Sequence, residues 1–159
     1  MNRENRHYCD VLVIGSGIAG LSAAITAAES GLDVIVITKE TALEESNTYY
    51  AQGGIVSRGE DDSPEFLIDD IMEAGDGISN RKAVDILAYE GPPLVEEFLI
   101  KKVGVPFSRT ENTEYEYARE ASHSKRRILH CMDTTGRAIE ESLARKAGET
   151  KNVRLFMGH

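Results

Sequence analysis

Gly15-Ser16-Gly17-Ile18-Ala19-Gly20 stands between a short apolar run and an alanine-rich stretch, and it restricts the possible folds more than any other feature of the chain. The preceding run, residues 10–14, is continuously apolar after Asp10, as in a strand buried on both faces of a parallel sheet. Residues 21–30 have helix-compatible spacing, and Gly31 suits the position just past a helix end. Residues 33–38 repeat the buried-strand pattern with β-branched side chains. Strand, glycine turn, helix and strand fill about 30 residues, the size of one βαβ unit. The expected class is therefore α/β, built on a Rossmann-like βαβ core.

Beyond this unit the spacing predicts a polar connection over 40–47 and a loop with paired glycines over 47–56. Residues 58–63 read as an acidic surface turn. Pro64 suits the first turn of a helix through Phe66, Leu67, Ile68, Ile71 and Met72, ended by Gly75 and Gly77. A further helix is expected over 83–89, broken by Gly91-Pro92-Pro93, and another over 94–100 closing near Gly104. Residues 110–116 suggest an exposed hairpin. Thr135 is placed to cap a helix over 137–147 with Ile139 and Leu143 inward, and 152–157 reads as a strand.

In G-x-G-x-x-G, each glycine has a separate task. Gly15 permits the tight turn, Gly17 lets a pyrophosphate approach the backbone, and Gly20 allows close helix–strand packing. Free N–H groups at the helix start, helped by its dipole, stabilise phosphate charge. The hexapeptide alone is a weak signal; its strand-turn-helix setting favours nucleotide binding over a structural turn. An acidic residue usually ends the second strand and holds a ribose. Here Thr38-Lys39 stands there, with Glu40 one place late, so on this motif FAD and NAD remain hard to separate.

Composition narrows the class. The chain has 159 residues, 41% hydrophobic and 28% charged, enough for one domain with a real core. A formal net charge of -9 argues against nonspecific attraction to nucleic acid or anionic membrane. Cys9 and Cys131 are not in a C-x-x-C pair, which disfavours a disulfide framework or a zinc site and fits a reducing compartment. Residues 1–6 are polar and the apolar run from Val11 is short, so neither a signal peptide nor a membrane span is expected, and a cytoplasmic location is the plain reading.

Ser46-Asn47-Thr48-Tyr49-Tyr50-Ala51-Gln52-Gly53-Gly54-Ile55 follows the second strand. With it the sequence resembles the succinate dehydrogenase/fumarate reductase flavoprotein superfamily, most closely its L-aspartate oxidase group. The resemblance implies the FAD-binding, glutathione-reductase-type version of the Rossmann-like core, with this segment wrapped around the flavin. It also implies a Thr38-Lys39-like pair in place of the ribose carboxylate. Gly53 and Gly54 would bring backbone N–H groups to the ring, while Thr48 and Gln52 offer hydrogen bonds. Respiratory members carry at position 47 a histidine that attaches covalently to flavin. Asn47 has no nucleophilic nitrogen for that bond, so FAD is expected to be held noncovalently.

Residues 119–130, from Arg119-Glu120 to Leu129-His130, resemble the R-E-G-G-H-S-x-R-R-I-L-H segment of that group, and Asp133-Thr134-Thr135-Gly136-Arg137 its D-x-T-G-R. Ala121-Ser122 departs from the usual Gly-Gly, removing two permissive backbone positions. The resemblance implies that Glu120 faces the substrate amino group, where a carboxylate pairs with the ammonium of L-aspartate, a group succinate lacks. His123 and His130 carry imidazoles suited to acid–base work, although lone histidines are more often structural. Arg126-Arg127 offers charge for an anionic flavin or a substrate carboxylate.

The implied reaction is oxidation of L-aspartate to iminoaspartate, with hydride passing to the flavin and oxygen or fumarate as final acceptor. The product would feed quinolinate synthase, toward NAD. Residues 7–58 would form the βαβ unit plus flavin loop, 64–104 a helical segment, and 115–159 a substrate loop, helix and strand. Family members run to several hundred residues. A capping domain, the main catalytic arginine and a C-terminal helical domain are thus expected beyond His159, leaving this chain alone without catalysis. The alternatives are a soluble fumarate reductase- or succinate dehydrogenase-like flavoprotein and a noncatalytic Rossmann-like module.

Overall fold

The computed structural model describes residues 6–159; of the polar N-terminal residues 1–6, the first five lie outside the described residues. Two compact units emerge, one running to Ala51 and returning at Ile139–His159, the other Gln52–Ala138.

In the first unit β1 (Val11–Ile14), β2 (Val34–Thr38) and β6 (Val153–Met157) form a parallel sheet in the order β1-β2-β6. Val11 registers with Val34 and Val34 with Val153. The helix α1 (Ile18–Glu29) packs on β1 and β2 and buries Leu21, Ala24, Ile25 and Ala28. It starts three residues before the point expected from spacing and ends as expected, with Gly31 at φ +88° just beyond. The strand that follows the glycine turn is thereby brought beside the first, as the βαβ reading requires.

The expectation of strands covered on both faces needs correction for β1. Val11 and Val13 are half-buried, whereas Leu12 and Ile14 are 54% and 79% exposed. With side chains alternating between faces, one face of β1 meets α1 and the other carries apolar side chains into the open. A continuous apolar run reports hydrophobic demand on both faces without showing what meets it.

In the second unit β3 (Ile55–Val56), β5 (Ile128–Leu129) and β4 (Tyr117–Ala118) form a small antiparallel sheet, so the glycine-bearing loop ends in a strand rather than continuing through Val56. The helix α2 (Pro64–Ala74) begins with Pro64 in its first turn and packs against α3 (Arg81–Leu94), joining Leu67, Ile68, Val84 and Ala88 in one core. Asn80 starts α3 earlier than expected, because its Oδ1 accepts the N–H groups of Lys82 and Ala83 at 3.0 and 3.3 Å.

Gly91-Pro92-Pro93 does not break the helix. α3 runs through it and continues as a π-helical segment, Val95–Val103, ending at Gly104 in the left-handed region, φ +77°. Pro92 lacks the N–H that would reach the Ala88 carbonyl, and Arg58 Nη2 donates to that oxygen instead, at 2.9 Å. The wider π turn accommodates the remaining irregularity. Residues 110–116 form the expected hairpin, with Thr110 N–H donating to Glu114 O and Arg109 stacked on Tyr115.

α4 (Thr135–Glu149) begins in the second unit and continues in the first, burying Ile139, Leu143, Ala144 and Ala147. Thr135 is its first residue rather than its cap. The Thr135 hydroxyl accepts Cys131 N–H at 3.0 Å, so it serves the preceding turn.

Candidate functional site

The first unit holds a cleft of about 520 Å³ at the carboxyl end of its parallel strands, where Ile14 leads into Gly15 and Ile37 into Thr38. This is where ligands of open α/β sheets bind. Of the sequence-selected residues, Gly15, Ser16 and Gly17 form one wall, Thr38 and Lys39 another, and Ser46, Asn47, Thr48 and Tyr50 a third. Residues distant in sequence meet because β1 and β2 are adjacent and the loop after β2 turns back over α1.

Gly15 and Gly20 have the turn and packing roles expected of them. Gly15 sits at φ +104°, and its N–H donates to Ile37 O at 2.8 Å, tying the turn to β2. A Cβ on Gly20 would lie 2.1 Å from Gly15 O, so no side chain fits. A Cβ on Gly17 would lie 3.2 Å from Thr48 Oγ1, filling the space between turn and loop. Gly17 also occupies the N-cap of α1 without a capping side chain, while Ile18 N–H donates to Thr48 Oγ1 at 3.0 Å. Thr48 thus locks the loop to the helix start, a role beyond the ligand contact expected from sequence.

Ser16 Oγ is buried and has no hydrogen-bond partner among the described residues. An orphan hydroxyl, a glycine cradle and a helix N-terminus on one cleft are suited to a pyrophosphate, whose oxygens would accept from them. The residues present fit a dinucleotide.

Glu40, noted in the sequence as one place late, also lines the cleft, together with Glu45, Ile14, Ile37 and His159, which no motif singled out. Lys39 Nζ pairs with Glu40 at 3.4 Å, and Glu40 N–H donates to Thr38 Oγ1 at 3.4 Å, so the carboxylate one place late belongs to the strand-end cluster. Tyr50 donates its hydroxyl to Glu45, which holds the phenol pKa above its ordinary value; the five-residue separation carried no periodic signal. Ile18, Ala19, Gly20, Tyr49 and Ala51 adjoin the cleft residues in sequence without forming its wall. Ser46 Oγ accepts Tyr49 N–H at 3.4 Å, and Tyr49 meets Tyr50 edge to face.

Gln52, Gly53 and Gly54 belong to the second unit and are exposed. Gly54 N–H donates to Glu120 Oε1 at 3.1 Å, and a Cβ on Gly53 would lie 3.8 Å from that carboxylate. A Cβ on Gly54 would collide with Ile128 Cγ2 at 2.1 Å, so packing on β5 also requires this glycine. Glu120 is exposed, and among the described residues no cation pairs with it. The paired glycines and Glu120, chosen from motifs 66 residues apart, are in contact.

The loop bearing Glu120 is anchored by a buried ionic node. Arg127 is 0% exposed; Nε and Nη2 grip the two oxygens of Asp62 at 3.0 and 2.9 Å, and Nη1 donates to Asp70 at 2.6 Å. Asp70 Oδ2 also accepts Ser124 N–H and Oγ–H, at 2.8 and 3.0 Å. Burial alone raises the Asp70 pKa, but the Ser124 and Arg127 donors outweigh it and hold the carboxyl below its usual value. Two expectations are overturned. Asp62, placed on a surface turn, is 2% exposed, and Arg127 is saturated by two carboxylates rather than free for an anionic ligand. Arg126 is exposed and donates to Tyr117 O.

His123 Nδ1 lies 3.1 Å from Arg127 Nη1. A guanidinium only donates, so Nδ1 is the acceptor in this contact. His123 also lines a shallow cavity of about 420 Å³ with Arg119, Ser122 and Asp70. Ser122, at φ +64°, occupies the left-handed region, while Ala121 does not. Of the two glycine positions filled by other residues, one is therefore under strain.

Comparison with known proteins agrees with this geometry. The FAD binding domain family model matches residues 10–159. The chain is 44% identical over 144 residues to the L-aspartate oxidase of Halobacterium salinarum and 42% identical over 165 residues to that of Vibrio cholerae. These matches cover 91% and 100% of the chain, but 28% and 30% of the relatives. The chain thus spans under a third of their length. Among solved structures, Mycobacterium smegmatis Sdh1 in complex with UQ1 superposes with a TM-score of 0.87 at 30% identity, covering 96% of this chain and 28% of that one. An E. coli quinol fumarate reductase FrdA variant gives 0.87 at 25% identity, covering 94% and 26%. Among the described residues no helix is long and apolar enough to cross a membrane.

Proposed function

The chain belongs to the FAD binding domain family, and from that premise we propose that it serves the FAD-dependent oxidation of L-aspartate to iminoaspartate, holding the cofactor noncovalently. The observation that carries the substrate assignment is Glu120, an exposed carboxylate without a cationic partner among the described residues, bonded to the Gly54 N–H. An ammonium beside it gains a charge-assisted contact that a substrate lacking the amine cannot make.

The bound flavin would supply the hydride acceptor. The chain's own residues position and discriminate. Gly15, Ser16, Gly17 and the first turn of α1 receive the pyrophosphate; Thr38 and Lys39, with Glu40, face the ribose. Ser46, Asn47, Thr48 and Tyr50 line the dinucleotide, and Gln52, Gly53 and Gly54 extend the loop toward the ring. In this reading residues 7–58 bind the cofactor, 64–104 buttress the substrate loop and 115–159 carry it. Oxygen or fumarate would reoxidise the flavin, and iminoaspartate would pass to quinolinate synthase in the cytoplasm, toward NAD.

The test compares L-aspartate and succinate as reductants of the bound flavin in the complete protein, followed by loss of flavin absorbance under anaerobic conditions. L-Aspartate is expected to bleach the flavin and E120Q to raise its KM by about tenfold or more. Bleaching by succinate with no response to L-aspartate would assign the chain instead to a fumarate reductase-like activity.

A further inference from the structure

Glu120 lies in the loop 119–127 that joins β4 to β5. The strands hold the two ends of this loop: Ala118 pairs with Ile128, and Arg127 N–H donates to Ala118 O at 3.2 Å. Strand pairing alone does not set the course of the residues between. Here α2 grips them through side chains four residues apart, a spacing that places them on one face of a helix. The Lys125 ammonium stands over the Phe66 ring, 4.5 Å from its centre, and Asp70, one turn on, accepts Ser124 N–H and Oγ–H. Asp62, four residues before Phe66 and just ahead of the helix, holds Arg127.

Asp70 Oδ2 carries three donors, since Arg127 Nη1 reaches the same oxygen. The Asp70 side chain is 11% exposed, so these bonds form in a largely dry setting, where a lost partner costs more than at the surface. Directly ahead of Ser124 is the turn from Glu120 to His123, closed by His123 N–H on Glu120 O at 3.2 Å, with Ser122 in the left-handed region. Such a backbone persists only where its surroundings hold it. Asp70 supplies that hold just past the turn. At the turn's start Glu120 Oε1 accepts the Gly54 N–H, and Oε2 has no hydrogen bond among the described residues.

We propose that Asp70 is a specificity-determining positioning residue: by fixing the Glu120–Ser124 turn from α2, it keeps one Glu120 oxygen on Gly54 and presents the other to the ammonium of the substrate. The inference rests on the reading that Glu120 recognises that amine. Asp70 acts through the turn, so loss of its bonds changes where Glu120 points and leaves the Glu120 charge as it was. A charge-assisted hydrogen bond weakens steeply with distance and angle, and the effect therefore falls on recognition of the amine.

The complete protein, loaded with FAD, tests this as wild type, D70N, S124A and S124T, with D70N and S124A also combined with E120Q. D70N keeps the size and one acceptor, and S124A removes only the hydroxyl donor from an exposed serine, so the gentler change stays informative if the other misfolds. KM and the maximal rate are read from anaerobic flavin reduction by L-aspartate, and amide exchange of the peptide 52–56 is followed without substrate. S124A is expected to raise KM about threefold and D70N about tenfold, with maximal rate and FAD affinity within about twofold of wild type. S124T, which keeps both donors, recovers the wild-type KM. In the E120Q background D70N and S124A change KM by less than about twofold, because the group they position is already disabled. Gly54 exchange is expected to quicken about tenfold in D70N. The proposal is overturned if neither D70N nor S124A raises KM, or if both raise it equally with and without E120Q. It is also overturned if they weaken FAD as much as L-aspartate, or if D70N leaves Gly54 exchange as in wild type. E120Q with a wild-type KM would overturn the substrate reading beneath it. Because Gly54 exchange is measured without substrate, that failure and a failure of the Asp70 hold are distinguishable.

Discussion

Ser122 and Arg127 show how differently two residues of one loop contribute. Ser122 holds a left-handed backbone that a side chain disfavours by about 1–2 kcal/mol. Part of that gain is lost through the greater freedom of glycine in the unfolded chain. S122G is therefore expected to stabilise the protein by about 0.5–1 kcal/mol, read as a higher urea midpoint with an unchanged slope. Arg127 is the opposite case. Removing its guanidinium strands Asp62 and Asp70 in a buried setting, and R127M is expected to cost about 3–5 kcal/mol in the same assay. R127K should recover little, since an ammonium cannot grip both oxygens of Asp62 while reaching Asp70.

Protons couple to stability at two carboxyls, Asp70 of α2 and the fully buried Glu140 of α4, with opposite sign. Asp70, held below its usual value, binds fewer protons folded than unfolded at acid pH, so its contribution is present above the unfolded pKa and is lost as pH falls through the folded one. Glu140 is raised from 4.5 to about 7, so between those values the folded chain keeps a proton that the unfolded chain releases. Stability from this group is full below pH 4.5 and declines until pH passes about 7. E140Q is expected to flatten the decline, on the order of 1–3 kcal/mol, in denaturation curves taken between pH 5 and 8.

At the scale of elements, α3 shows where propensity rules stop short. Gly91-Pro92-Pro93 reads as a break because Pro92 and Pro93 withdraw two backbone donors. The helix persists because Arg58, thirty residues earlier, supplies a donor to the Ala88 carbonyl. No local window contains that arginine. R58A is expected to cost about 1.5–3 kcal/mol, and less in a P92A background, where a backbone N–H again reaches Ala88 O. A double-mutant cycle by thermal denaturation measures the difference. By contrast, the order and type of the βαβ elements were legible, since apolar runs, glycine turn and alanine-rich helix all agree locally. The starts of α1 and α3 lie three and two residues before the expected points, and at α3 the Asn80 side chain sets the start.

Across the whole molecule, the candidate site was legible where chemistry requires a fixed local spacing and hidden where it depends on tertiary contact. Gly15 and Gly20 announce themselves because a positive φ at one and a backbone carbonyl against the other disfavour any side chain, while a Cβ on Gly17 would press on Thr48 Oγ1. Thr38-Lys39 and the loop from Ser46 fall on the same cleft as those glycines. Glu140 gave no signal: within α4 it reads as one more polar helix residue, and only the packed structure shows it dry. The same holds for Asp62, whose acidic turn looks solvated until Arg127 is seen beneath it. Leu12 and Ile14 mark the converse limit, since an apolar strand signals a need for cover and leaves its supplier unnamed.

The central claim is that the glycine turn and the loop at Ser46–Tyr50 together seat FAD without a covalent bond. Flavin fluorescence titration of wild type and G17V, followed by acid precipitation of the loaded protein, tests it most directly. The account predicts saturable quenching in the wild type, affinity reduced at least about tenfold in G17V, and all flavin released into the acid supernatant. Equal affinity in G17V, or flavin retained in the precipitate, would contradict it.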